Sequence, residues 1–184
     1  MILCQQLTLY SYYVIIILEE GTMCNNCFNI SNFHIPLWEE LPNIDLYMDQ
    51  VLTYIYTTLS SYVKDENLIT KTMVNNYVKN GVINAPTKKK YNKLCIAELI
   101  VICILKQVYS INDIKNLITL ALKTSPADIS YNKFCNVLND CLNSTFNGTV
   151  YYSDEVLSEE QYILKNVVQS FVNKLYVQIK YLKK

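Results

Sequence analysis

Arginine is missing from this chain of 184 residues: all sixteen of its basic side chains are lysine. That excludes the usual two-point contact of a guanidinium with guanine, so any reading of DNA bases would have to come from Asn, Thr, Lys or the shape of the duplex. Asn, Lys, Ile and Tyr, all with AT-rich codons, dominate the composition, and an AT-rich genome accounts for the bias. Glycine (3) and proline (4) are scarce as well. The chain therefore lacks the turn residues of a many-stranded β fold, and its long unbroken segments favour helix. Histidine occurs once, at His34, and no G-x-S-x-G, P-loop or dinucleotide fingerprint is present. Catalytic triads and nucleotide chemistry thus lack their parts. Glu39-Glu40 and Glu159-Glu160 are neighbours in sequence, so each pair points two ways rather than flanking one substrate. An enzyme is not expected, nor any cofactor.

Long apolar runs are also lacking. Leu7–Leu18 spans only 12 residues, too few to cross a bilayer. No basic residue precedes it and no small-residue cleavage site follows, which argues against a signal peptide. Glu19-Glu20-Gly21 can be encoded by a purine-rich ribosome-binding sequence, and Met23 lies just beyond. The expectation is that residues 1–22 are leader from a start placed too early, and that the protein begins at Met23. The seven cysteines (Cys4, Cys24, Cys27, Cys95, Cys103, Cys135, Cys141) are odd in number, and four sit in apolar helical segments. Reduced, buried thiols in a cytoplasmic protein fit this better than a disulfide framework. Cys24-Asn-Asn-Cys27 with His34 makes half a zinc site, but a structural site needs four ligands and no second close pair exists, so no metal is expected.

What is present is enough apolar material, 51% of residues, for one domain with a real core. The net charge of zero hides an uneven distribution. Residues 1–63 hold six acids and no base, and residues 64–93 hold seven lysines against Asp65 and Glu66. Residues 94–184 are nearly balanced. The basic region is therefore one short stretch, an electrostatic footprint of the kind nucleic-acid binders carry.

Around that stretch, Phe33–Gln50, with two prolines, reads as an extended arm entering a helix capped by Asp45. The helix continues to about Val63, with Val51, Leu52, Ile55, Leu59 and Tyr62 at helical spacing. After the polar turn "KDEN", Thr70 is positioned to cap a helix from Lys71 to Asn80. Met73, Val74, Tyr77 and Val78 form its apolar face; Lys71, Thr72, Asn75, Asn76 and Lys79 form its polar one. Gly81 stands where a left-handed cap ends a helix. A short loop, Asn84–Lys90, follows. Cys95–Tyr109 is apolar nearly all round and should be a central buried helix. Ser110 caps the next, with Asp113 at the third position. Helices are expected again over Ala127–Leu142 and Glu159–Leu182. The last carries Leu164, Val168, Phe171, Leu175 and Ile179 near heptad spacing, suited to dimerisation or to packing on the helix from Ala127. Tyr131, Phe134, Tyr151 and Tyr152 are candidate walls of a pocket between those two helices.

Two helices joined by a polar turn, the second with a polar face, followed by a lysine run, are the parts of a helix-turn-helix with a small wing. Their order, "MVNNYVKNGVI", Pro86, "KKKY", "IAELIVICILKQ" and "YSINDIKNLI", resembles the MerR-type regulators over residues 68–119. Tyr77, Gly81, Pro86, Tyr91, Ser110 and Ile114 stand at matching positions. Where that family carries an arginine in the recognition helix, this chain has Asn75, and its wing is shorter and without arginine. With the "LPNIDLYMDQ" arm in front, the combination looks like a family of small proteins of low-GC Gram-positive bacteria known only as a domain of unknown function.

The resulting expectation is an all-α protein. Its arm covers residues 23–44, a MerR-like winged helix-turn-helix covers 45–122, and helices for dimerisation or effector sensing cover 123–184. The expected function is transcription regulation by binding double-stranded DNA as a cytoplasmic homodimer, with a small-molecule effector of unknown nature and no membrane association. Thr72, Asn75 and Asn76 would meet base edges, a carboxamide being able to bond adenine N6 and N7 together. Thr70, Lys71 and Lys79 would meet phosphates beside the groove. Lys88, Lys89 and Lys90 would grip the backbone. Tyr77 would be partly core with its hydroxyl free for a phosphate. The alternative is a protein-interaction module that keeps the fold without binding DNA.

Overall fold

A computed structural model describes residues 33–60, 62–63, 68–149 and 157–182. The leader reading for residues 1–22, Cys24 and Cys27, the "KDEN" turn, and Tyr151 and Tyr152 lie outside the described residues. Six α-helices and one two-stranded ribbon make up the regular structure among them, so the fold is all-α: α1 (Met48–Leu59), α2 (Lys71–Lys79), α3 (Lys93–Leu105), α4 (Ile111–Thr124), α5 (Ala127–Phe146) and α6 (Glu159–Val177). A π-helical turn, Gln178–Leu182, continues α6. No helix among the described residues is long and apolar enough to cross a membrane.

Helix α3 organises the rest. Ten of its thirteen residues are buried, and its sequence is apolar on every side, so other elements must cover it all round. It starts at Lys93, two residues before the expected Cys95, because the Asn92 side chain accepts a 3.0 Å hydrogen bond from the Cys95 amide and so caps the helix. Helix α1 lies against one face of α3, with Val51, Ile55 and Leu59 fully buried at its 3–4-residue period. Its start differs from expectation too. Asp45 does not cap it; Tyr47 is the N-cap residue, and the Gln50 side chain reaches back to accept from the Tyr47 amide at 2.9 Å.

The arm is not loose. Ile35, Pro36 and Leu41 are buried, and Trp38–Glu40 form a short 3-10 turn against α5. The Tyr131 hydroxyl donates to the Pro36 carbonyl at 2.9 Å, and the Trp38 amide donates to Asn132 Oδ1 at 2.8 Å. His34 is exposed, and its Nε2 lies 3.2 Å from the Glu40 carboxylate. Further on, the arm supplies strand β1 (Leu46–Tyr47), antiparallel to β2 (Lys90–Tyr91) in the register Leu46 opposite Tyr91 and Tyr47 opposite Lys90.

Helix α6 lies along α5, and the stripe read as a dimer seam is largely used in that contact: Val168, Phe171 and Leu175 are buried, while Leu164 and Ile179 are half-buried against the core. Gln169 of α6 donates to Thr145 of α5 at 2.9 Å. One cluster of buried side chains extends from Ile35 to Leu175 without a break near residue 122. Cys95, Cys103, Cys135 and Cys141 are all buried in it as free thiols. Burial lifts the pKa of Cys95 and Cys141 to about 11 and of Cys135 to about 12, which keeps them protonated and unreactive.

Candidate nucleic-acid interface

Helix α2 begins as its sequence requires. The Thr70 hydroxyl accepts from the Met73 amide at 3.2 Å, satisfying one of the free donors of the first turn. The helix then sorts its side chains by period. Val74 and Tyr77 are buried and Met73 and Val78 half-buried; Lys71, Thr72, Asn75, Asn76 and Lys79 are all exposed on the other face. Tyr77 is only 6% exposed, and burial raises its hydroxyl pKa. Its ring is therefore part of the core, as expected, and little of the side chain is left at the surface.

The helix ends at Gly81, whose φ of 61° is the left-handed conformation of a C-cap. Lys115, one turn into α4, donates from Nζ to the carbonyl of Asn80 at 2.9 Å. A cation there meets the negative end of the helix dipole, so α2 is fixed at its C-terminus by a side chain from a different helix. Sequence reasoning missed this contact because residues 35 positions apart give no local signal.

The lysine run is a tight hairpin. Thr87 and Lys90 exchange both backbone hydrogen bonds, at 3.0 and 2.9 Å, around Lys88 and Lys89. Both central residues have positive φ, 51° and 64°, which identifies a type I′ turn, normally occupied by Asn-Gly. Each lysine costs about 1–2 kcal/mol there through its Cβ, so the turn holds charge at a place where local stability favours smaller residues. Lys88 and Lys89 are exposed at the tip. Lys90 departs from the expected group: it sits in β2, half-buried, with Nζ 4.9 Å from the centre of the Tyr47 ring. None of Lys71, Lys79, Lys88 or Lys89 forms an ion pair among the described residues, where the only one is His34–Glu40.

A second feature lies between α3, α4, α5 and α6: a cavity of about 550 Å³. Tyr131 and Phe134 are in its wall as expected, with Leu117, Ala121, Leu164 and others. The sequence reading overlooked Glu98, which also lines it. This side chain is 8% exposed; among the described residues it is the only buried charged one, and its Oε2 has no hydrogen-bond partner among them. Burial lifts its pKa to about 7. The signal was available as a single acid in the middle of "CIAELIVICIL".

No match to the chain was found among curated proteins or among solved structures. Residues 36–140, more than half of the chain, match the family described as Domain of unknown function (DUF1836), from the buried Pro36 to Asp140, less than two turns from the end of α5. The protein belongs to that family.

Proposed function

We propose that this protein is a DNA-binding transcriptional regulator, acting as a homodimer in the cytoplasm. On this reading α1, α2 and the Thr87–Lys90 hairpin form a MerR-like winged helix-turn-helix, with α2 in the major groove and the hairpin on the backbone. The observation that carries the proposal is the exposed face of α2, where Lys71, Thr72, Asn75, Asn76 and Lys79 present amides and ammonium groups with no ion-pair partner among the described residues. Asn75 and Asn76 have the chemistry to read adenine; Thr72 can contact a base edge; Lys71, Lys79, Lys88 and Lys89 neutralise phosphates. The Thr70 hydroxyl, although it caps the helix, retains its proton for a phosphate oxygen. A symmetric operator needs a two-fold dimer. Because Val168, Phe171 and Leu175 are buried within the chain, its surface would have to include other residues.

The experiment is fluorescence anisotropy on the duplex upstream of the protein's own gene against scrambled DNA, across a salt series. Binding should favour the upstream duplex and weaken with a slope of about −0.9 in log–log terms per phosphate neutralised. Asn76→Ala should erode sequence preference by about 1–3 kcal/mol at one base pair, while alanine at Lys88 and Lys89 together weakens binding to all sequences alike. Failure of the folded dimer to bind any duplex at low salt would remove the DNA reading. It would favour the protein-interaction module, to which the lack of arginine already points.

A further inference from the structure

We propose that the cavity between α3, α4, α5 and α6 binds an apolar ligand bearing a cationic amine, with Glu98 as its counter-charge. Its volume of about 550 Å³ is in the range of small-molecule sites, roughly 300–1,000 Å³. Leu94, Ala97, Glu98, Val101 and Leu105 of α3 all line it, and their spacing of three or four residues makes them a single stripe facing the space. Four of the five are apolar, as an ordinary packing stripe would be. The fifth is a carboxyl with a buried oxygen that no group of the described residues satisfies.

Folding gains nothing from such a group, since a buried carboxylate without a partner opposes the folded state. The other charged walls do not supply the partner. Lys133 of α5 is exposed and donates to Ser125 Oγ at 3.1 Å; Glu160, in the first turn of α6, is exposed and accepts from the Ser158 hydroxyl at 2.9 Å. An ammonium on an apolar body would complete both parts of the site, its donors meeting the carboxylate and its hydrocarbon filling the remaining space. A ligand carboxylate would face like charge in a desolvated setting and be rejected. The proposal does not depend on DNA binding, so the two can fail separately.

The test uses three probes with one apolar body and different heads: 4-phenylbutylamine, 4-phenylbutan-1-ol and 4-phenylbutyrate. Each is titrated to millimolar concentration into the full chain while methyl resonances of Ala97, Val101 and Ala121 are followed. The amine should shift these methyls and bind about tenfold or more tightly than the alcohol, a difference of about 1.4 kcal/mol, with the acid weakest. Glu98→Gln should bring the amine to the level of the alcohol, and Val101→Trp, which fills the space, should weaken all three. Equal binding of amine and acid, an undiminished amine preference in Glu98→Gln, or unmoved methyls with every probe would overturn the proposal.

Discussion

The ammonium of Lys115 donates to the carbonyl of Asn80 across 35 positions of sequence, and through it α4 holds the C-terminal end of α2. Lys115→Met keeps the hydrocarbon stem and removes the charge. The expected cost is about 0.5–1.5 kcal/mol, from one charge-assisted hydrogen bond and the helix dipole. Hydrogen exchange should accelerate selectively at the last-turn amides of α2, Val78 to Gly81. Unchanged exchange there would show that the contact does not hold the helix end.

Stability and charge oppose each other at the hairpin tip. Replacing Lys88 by Asn and Lys89 by Gly fits the positive φ of both positions and should stabilise the fold by about 1–2 kcal/mol. On the proposed DNA-binding reading the same change also removes two phosphate contacts, so DNA affinity should fall for all sequences together and its salt slope should flatten. Urea unfolding beside the anisotropy titration checks both signs, and a variant that gains stability without losing affinity would remove the lysines from the interface.

Glu98 predicts a stability that declines as pH rises. Its pKa is about 7 in the folded chain against 4.5 for a free carboxyl. The unfolded state therefore gives up this proton first, and folding is strongest below about pH 4.5 as far as this residue is concerned. Its contribution is lost progressively up to about pH 7 and stays lost above it, a change of about 3 kcal/mol at 1.36 kcal/mol per unit. Glu98→Gln should remove that dependence and stabilise the protein at pH 8 by about 2 kcal/mol, after the cost of burying an amide. Parallel pH profiles of the two proteins in urea unfolding would contradict the burial argument.

Tyr131→Phe deletes the hydroxyl that donates to the Pro36 carbonyl at 2.9 Å. A buried carbonyl left without that donor should cost about 1–3 kcal/mol. The loss should be local first, seen as faster exchange at the Leu37 and Leu41 amides, while α3 amides keep their protection.

Much of this was legible in the sequence because it depends on neighbours. Thr70, Gly81 and Ser110 terminate helices by short-range hydrogen bonds or a single φ, and the apolar run after Asn92 could only be a buried helix. The polar face of α2 followed from its 3.6-residue period. Features set at long range were not legible. Strands of two residues, Leu46–Tyr47 and Lys90–Tyr91, show no alternation to detect, and the hold of Lys115 on Asn80 exists only once α4 has packed. The α6 stripe illustrates a different limit: an apolar face at heptad spacing is equally suited to a second chain or to α5, and in this fold Val168, Phe171 and Leu175 take α5. Glu98 was legible in principle, but the apolar residues around it drew the reading toward packing alone.

The arm contributes to two distant parts of the molecule. Pro36 and Trp38 bond to α5, while Leu46 and Tyr47 pair with the hairpin that follows α2. Chain order and spatial order are therefore interleaved, with the first described segment clasping both the basic hairpin and a late helix. A cassette cut from residues 45–122 would leave behind the α5 partner of the arm and expose the cavity side of α3. Arm, hairpin and α5 are therefore one folding unit, and none of them can be cut away without unpairing a backbone group of another.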